Sequence, residues 1–153
     1  MKETDSIRLA ELEIKNSKER LEAAELLLNN GKIVDSINRA YYAMFHAARA
    51  LLLLYGIEPK THEEVAREFS RIIVEEKVMD KGFAKNLRQI FETRESVDYR
   101  IGVLFDQEEA EEIFIKGKRV CRKCYESYRK DYKGKILSIF RIFYKTFYGI
   151  IWP

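Results

Sequence analysis

The chain has 153 residues, of which 46% are hydrophobic and 35% are charged, and its formal net charge at pH 7 is +3. This length suffices for one domain that buries its own core without disulfides or a structural metal. So small a net charge does not by itself indicate a nucleic-acid partner. Only 7 Gly and 2 Pro are present, which favours long helices over many short strands. We therefore predict an all-α fold.

The N-terminal part of the sequence predicts a helical hairpin. Asp5 or Ser6 can cap the first helix, whose apolar residues recur at near-heptad spacing. These residues are Ile7, Ala10, Ile14, Leu21, Ala24 and Leu28. The run Asn-Asn-Gly over 29–31 ends this helix, because both residue types tolerate the left-handed conformation. The second helix begins near Lys32 and ends near Tyr55, and so short a link makes the two helices antiparallel.

The second predicted helix is almost wholly apolar, yet it contains Arg39, His46 and Arg49. Arg and His are seldom fully buried without partners, so this helix should lie at the centre of a bundle with these side chains paired, or lining a cleft or interface. Arg39 and His46 lie within about 20° of each other around the helix and roughly 10 Å apart along it. Both can face one phosphate. Alternatively, Arg39 pairs with Asp35 or with a Glu of the first helix, and His46 is a hydrogen-bonded core residue.

Three further helices are predicted in the second half of the chain. Thr61 and Glu64 form a capping-box pattern in front of a third helix over about 62–76. A fourth helix covers about 83–97, and a fifth, capped by the aspartate before it, covers about 107–133. The result is an antiparallel bundle of four to five helices that forms one domain over residues 1–133.

The segment 134–153 contains basic and aromatic residues but no acidic residue. Its polar positions recur at helical spacing, which predicts an extra C-terminal basic aromatic helix. These positions are Ser138, Arg141, Lys145 and Gly149. Arg141 and Lys145, inside this segment, argue against a membrane span. Two interpretations remain: the helix packs on the bundle or on a second subunit, or it lies in a membrane interface.

Cys121 and Cys124 are the two cysteines of the chain. Their small number indicates a reduced, cytoplasmic setting, and the N-terminus has no apolar stretch typical of a signal peptide. A structural zinc site needs four ligands, and the sequence offers no second cysteine pair. We therefore predict that both are small apolar residues of one helix, with no metal and no cofactor.

A second polar group, Arg-Glu-Ser-Val-Asp-Tyr-Arg, ends the fourth predicted helix. Arg94 and Asp98 share one face and can form a simple ion pair, which makes the group a polar helix end. Alternatively, Arg94 binds a phosphate while Asp98 and Tyr99 form hydrogen bonds or transfer protons. Tyr99 approaches Arg94 only if the helix loosens. Glu95 and Arg100 flank this group as further candidates for binding.

Three motifs in this order resemble the short prokaryotic HEPN-domain family. They are Asn-Arg-Ala-Tyr-Tyr-Ala-Met-Phe-His-Ala-Ala-Arg-Ala-Leu-Leu over 38–52, Gly-Ile-Glu-Pro-Lys-Thr-His over 56–62, and Arg94 with Asp98 and Tyr99. The resemblance covers roughly residues 7–133. It implies a helical bundle that dimerises, a metal-independent endoribonuclease that acts on RNA or binds a nucleotide, and a separate minimal nucleotidyltransferase as the partner in a toxin–antitoxin pair.

The active members of that family share an Arg, a polar residue and then a His after four to six intervening residues, with two copies facing each other across the dimer. Arg94 and Glu95 match the first two positions, but Tyr99 stands where the His is expected. Arg39 and His46 have a permitted spacing, with an alanine in place of the polar residue. Carried over, the resemblance implies that Arg94 binds the scissile phosphate and that His46 or Tyr99 helps to deprotonate the ribose 2′-OH. The alternative is a non-catalytic module that binds a nucleotide or the nucleotidyltransferase.

Overall fold

The computed structural model describes residues 2–99 and 104–148, with side chains except those of 97–99, 144, 147 and 148. Every regular element in this part of the chain is an α-helix, which confirms the all-α prediction. The elements are α1 (Glu3–Asn29), α2 (Ile33–Leu54), α3 (His62–Glu76), α4 (Lys81–Tyr99) and α5 (Gln107–Tyr148).

The antiparallel hairpin of α1 and α2 is confirmed. Gly31 has φ +70°, and the N–H of Lys32 donates to the carbonyl of Leu27 at 2.8 Å, which closes α1. The start of α1 then packs on the end of α2, where Ile7 contacts the cluster around Leu53. The predicted caps of α1 are wrong. The helix begins at Glu3, and its Ncap residue, Lys2, makes no capping hydrogen bond through its side chain.

Helix α2 forms the centre of the bundle, because it packs against each of the other four helices. Thirteen of its 22 residues are buried. Small residues on α2 let α5 approach closely. If Gly117 of α5 carried a Cβ atom, that atom would be in van der Waals contact with α2, 3.7 Å from the Cβ of Ala40 and 3.6 Å from the side chain of Met44. The alanine-spaced sequence of α2 therefore positions α5 directly on it.

Helices α3 and α4 cover the remaining side of α2. Thr61 caps α3 as predicted, accepting a hydrogen bond from the N–H of Glu64 at 3.1 Å. The buried side chains of Phe69 on α3 and Ile90 on α4 join the main core around α2. This arrangement brings the first residue of α3 and the last turns of α4 to the same surface of α2.

A buried group of neutral polar side chains joins α1, α2 and α5. The hydroxyl of Ser17 donates to the carbonyl of Ala43 at 2.6 Å and lies 2.6 Å from the hydroxyl of Tyr125. The thiol of Cys121 lies 3.9 Å from the same Ser17 oxygen. We call Ser17, Ala43, Cys121 and Tyr125 the Ser17 cluster. Cys121 and its neighbour Cys124 are free and fully buried, which confirms their predicted place in the core.

Helix α5 departs from the prediction at its C-terminal end. Asp106 caps it as expected, accepting from the N–H of Glu109 at 2.8 Å, but the helix continues through Gly134 to Tyr148 instead of ending near Lys133. A glycine inside a helix costs only about 1 kcal/mol relative to alanine, and the packing of Ile136 against the ends of α1 and α2 offsets it.

The last turns of α5 extend the same helix, so the predicted extra helix is a continuation of α5. Ile136 and Ile139 pack on the bundle, and Lys135 pairs with Glu3 at 3.1 Å. Further along, Leu137 and Phe140 are 66% and 57% exposed. None of the helices in residues 2–99 and 104–148 combines the length and apolar character that crossing a membrane requires.

Candidate functional site

Three side chains, one each from α2, α3 and α4, meet around the ring of Tyr42. The guanidinium carbon of Arg94 lies 5.5 Å from the ring centroid, and its Nη2 donates to the Tyr42 hydroxyl at 3.2 Å. The ring centroids of His62 and His46 lie 5.9 Å and 6.4 Å from that of Tyr42. We call Tyr42, His46, His62 and Arg94 the Tyr42 cluster. All four side chains are half-buried, so they are held in place yet remain in contact with solvent.

The local sequence explains how these residues meet. Tyr42 and His46 are four residues apart on α2 and so lie one turn apart on one face. Gly56, with φ +74°, ends α2, and the short connection to the Thr61 cap makes His62 the first residue of α3. Arg94 extends from α4 over the neighbouring rings of Tyr41 and Tyr42.

Glu13 of α1 fixes the orientation of His46. Its Oε2 lies 2.5 Å from Nδ1 of His46, and its Oε1 accepts from Nη1 of Arg49 at 2.6 Å. An ionised carboxylate only accepts hydrogen bonds, so Nδ1 of His46 carries the proton and Nε2 is left to exchange one. Glu13 is only 8% exposed, which holds this arrangement rigidly.

These contacts test the prediction that the polar side chains of α2 are paired. His46 and Arg49 are paired as predicted, and both use the same carboxylate from the first helix. Arg39 is exposed. No hydrogen bond or ion pair within residues 2–99 and 104–148 joins Arg39 to His46. The structure therefore brings His46 to the same tyrosine ring as Arg94 and His62 rather than to Arg39.

His62 is held by aromatic neighbours on α2. Its Nδ1 lies 2.5 Å from the hydroxyl of Tyr41, and its ring stacks on that of Phe45 with centroids 4.4 Å apart. Burial and the charge of Arg94 lower the pKa of His62. Burial also raises the pKa of Tyr41, so its phenol stays protonated at neutral pH and can serve as donor or acceptor.

Two residues of the site were not predicted from sequence. Glu13 is adjacent to Ile14 on the inward stripe of α1, where a carboxylate is unusual enough to signal a buried partner. His62 ends the motif over 56–62, but nothing in that motif reveals that it meets Arg94. Both contacts depend on how the helices pack, which one sequence does not determine.

The other residues of the predicted Arg94 group lie at the edge of the described structure. Glu95 is exposed beside Arg94, and its charge acts to raise the pKa values of Tyr41 and His62. Asp98 and Tyr99 belong to the last turn of α4, and their side chains lie outside the described part of the structure. Arg100 lies outside the described residues altogether.

The cluster combines one permanent cation, two imidazoles and one phenol. Arginine binds phosphate oxygens through paired N–H groups, and imidazoles are the side chains best suited to proton transfer near neutral pH. In the described part of the chain, no group of three or more His, Cys, Asp and Glu side chains is arranged to hold a metal ion. The arrangement is suited to binding a phosphodiester and moving protons on and off it.

Comparison with known proteins identifies related sequences. A family model described as the HEPN domain matches residues 10–129. A UPF0332 protein of Pyrococcus horikoshii is 52% identical over 77 residues, which are 50% of this chain and 54% of that relative, so the match spans about half of its length. Two proteins of Methanocaldococcus jannaschii named "putative toxin" also match. One is 32% identical over 104 residues (68% of this chain, 71% of the relative) and the other 35% over 100 residues (65% and 74%).

Proposed function

This chain belongs to the HEPN domain family, and on that basis we propose that it is a toxin-like protein that cleaves RNA without a metal ion. The names of the Methanocaldococcus relatives support the toxin-like role. The observation that carries the proposed chemistry is the Tyr42 cluster, which places an arginine and two histidines around one ring. Such a set can bind a phosphate and transfer protons.

In the proposed reaction, Arg94 binds the non-bridging oxygens of the scissile phosphate and stabilises the negative charge that develops on them. The ribose 2′-OH attacks phosphorus, so the O2′–P bond forms as the P–O5′ bond breaks. The 2′ oxygen loses a proton and the 5′ oxygen gains one, which leaves a 2′,3′-cyclic phosphate and a 5′-OH. His46, whose Nδ1–H is held by Glu13 at 2.5 Å, exchanges one of these protons through Nε2.

We also propose that the chain works as a homodimer and that a separate nucleotidyltransferase chain controls it, as the family resemblance implies. A second copy that faces the first would place two Tyr42 clusters along one RNA. The exposed end of α5, around Leu137 and Phe140, offers an apolar surface for such association or for contact with a membrane interface.

The test is incubation of the purified protein with end-labelled RNA in excess chelator, beside Arg94→Ala and His46→Ala. We expect cleavage that resists the chelator, leaves 2′,3′-cyclic phosphate ends and is lost in both variants. Arg39→Ala is the matched control, because this arginine lies on α2 but is exposed, and it should cleave like the unmodified protein. Intact RNA over a wide range of protein concentration would refute the proposed activity.

The second candidate function is a non-catalytic module that binds a nucleotide or the nucleotidyltransferase. Tyr99, in the position where active family members have His, favours it, because a tyrosine of pKa about 10 is a poor base near neutral pH. Expression of the chain alone separates the two. A ribonuclease should halt growth and lose that effect in Arg94→Ala, whereas a binding module should leave growth unchanged in both cases.

A further inference from the structure

We infer that His62 is a catalytic residue of the proposed ribonuclease, accepting the proton of the ribose 2′-OH in place of the histidine that the Arg94 motif lacks. This inference rests on the proposed function. It arises from the position of His62 in the Tyr42 cluster, 5.9 Å from the Tyr42 ring that also carries Arg94.

The reaction requires a second proton-transfer group. One proton leaves the 2′ oxygen while another reaches the 5′ oxygen, on opposite sides of the phosphorus, so one imidazole cannot serve both positions in a single step. The chain contains two histidines in total. Both are in the Tyr42 cluster, although they are 16 positions apart in the sequence and on different helices.

The geometry gives His62 a defined orientation. Phe45 contacts both imidazoles, with its ring centroid 4.4 Å from that of His62 and 5.3 Å from that of His46. The stacking on Phe45 and the hydrogen bond to Tyr41, at 2.5 Å, restrain the ring in two directions. In the tautomer whose Nδ1–H donates to the Tyr41 oxygen, the lone pair of Nε2 is available to a substrate.

The electrostatic surroundings favour the neutral form of His62. Burial and the charges of Arg94 and His46 lower its pKa, while Glu63 and Glu95 act in the opposite direction. The net change is downward from 6.5, so the imidazole is neutral at pH 7. A neutral imidazole is the form that accepts a proton.

The two histidines then have complementary roles. Nε2 of His62 takes the 2′-OH proton as the O2′–P bond forms. Protonated His46, held through Nδ1–H by Glu13, gives its Nε2 proton to the 5′ oxygen as the P–O5′ bond breaks. Exchange with water restores both rings. The bond changes and proton transfers balance without an oxidant, a metal ion or any other reactant.

The experiment measures the pH dependence of kcat/KM on RNA in excess chelator for the unmodified protein, His62→Asn and Tyr41→Phe. In His62→Asn the amide can keep the hydrogen bond to Tyr41 but cannot titrate. We expect a loss of about 10²–10⁴-fold, the usual contribution of a general base, together with loss of the acidic limb of the profile. Tyr41→Phe keeps His62 and should lower the rate by less, with both limbs retained. Glu63→Gln, beside His62 on the exposed surface, is the matched control. It keeps the imidazole and removes a charge that raises the pKa of His62, so it should retain most of the rate with the acidic limb moved to lower pH.

A titration of the unmodified protein by NMR completes the test and requires no variant. Two imidazole Cε1–H signals are expected from the two histidines. The signal of His62 should titrate below 6.5, coincide with the acidic limb of kcat/KM, and shift when an all-deoxy oligonucleotide binds, since that probe has no 2′-OH to react.

The outcomes separate the two proposals. Cleavage that survives in His62→Asn with its acidic limb intact, or an acidic limb that does not match the His62 titration, would overturn the role of His62 and leave the ribonuclease in place. Absence of cleavage by the unmodified protein would overturn the proposed function and the role of His62 within it.

Discussion

The Tyr42 cluster and the Ser17 cluster occupy neighbouring positions on α2, yet they are built from different chemistry. The Ser17 cluster contains hydroxyls, a thiol and a backbone carbonyl, and its serine and cysteine are fully buried. The Tyr42 cluster contains a cation and two titratable rings, and all of its side chains are half-buried. Neutral groups can be sealed in a core once they are hydrogen-bonded, whereas charges need water or a partner. The difference indicates that one cluster stabilises the fold and the other is available to a ligand.

The largest effect expected from this comparison is that of Arg94→Ala on RNA cleavage. Removing a group that stabilises transition-state charge costs about 10²–10³-fold in rate. The unfolding free energy should fall by only about 1–2 kcal/mol, the size of one hydrogen bond and one cation–π contact to Tyr42. Arg94→Lys should recover only part of the rate, since an ammonium lacks the planar fork of a guanidinium. Urea denaturation and initial rates check both values.

Glu13→Ala should affect both stability and activity, because Glu13 links the core to the site. It leaves His46 and Arg49 without their carboxylate. Breaking a fully buried ion pair costs about 3–5 kcal/mol. We expect roughly 2 kcal/mol here, since the Arg49 side chain is 29% exposed. Glu13→Gln keeps a hydrogen-bond acceptor and should cost less. Equal stability of Glu13→Ala and the unmodified protein would contradict this account.

Ser17→Ala should reduce stability without altering cleavage. It removes the hydrogen bond to the Ala43 carbonyl and leaves the half-buried Tyr125 hydroxyl without its serine partner. Losing such bonds costs about 1–2 kcal/mol. The rate on RNA should stay within about twofold of the unmodified protein at a temperature where both are folded. A large loss of rate would show that the Ser17 cluster takes part in function.

The smallest effect is expected at the two cysteines, which should not react in the folded protein. Burial raises the pKa of Cys121 to about 12 and that of Cys124 well above its ordinary value. Only the thiolate is nucleophilic, so at pH 8 almost none is present. A disulfide reagent that releases a coloured thiol should react with neither in buffer and with both in denaturant. Rapid reaction in buffer would show that this side of α2 opens to water.

The sequence predicts the fold well because its signals are local. The left-handed Gly31, the Thr61 cap and the Asp106 cap each depend on residues within one turn, and each acts as expected. The end of α5 was placed wrongly, since Gly134 weakens a helix only slightly and contacts of Ile136 with α1 and α2 decide whether it continues.

The site was predictable only in part. Arg94 and His46 stand out as polar residues in recognisable motifs, and the structure brings them to the same tyrosine ring. Glu13 and His62 complete the site through contacts between helices, 33 and 21 positions away from their partners His46 and Tyr41. Contacts between residues so far apart in the sequence cannot be inferred from the periodicity of one helix.

The most direct test of the central claim is the rate of RNA cleavage in excess chelator for His46→Asn and Ser17→Ala, each compared with the unmodified protein under conditions where all three are folded. Our account predicts that His46→Asn abolishes cleavage although its core is intact, and that Ser17→Ala cleaves at close to the unmodified rate although it is less stable. Equal rates in His46→Asn and the unmodified protein, or a lost rate in folded Ser17→Ala, would contradict the assignment of chemistry to the Tyr42 cluster.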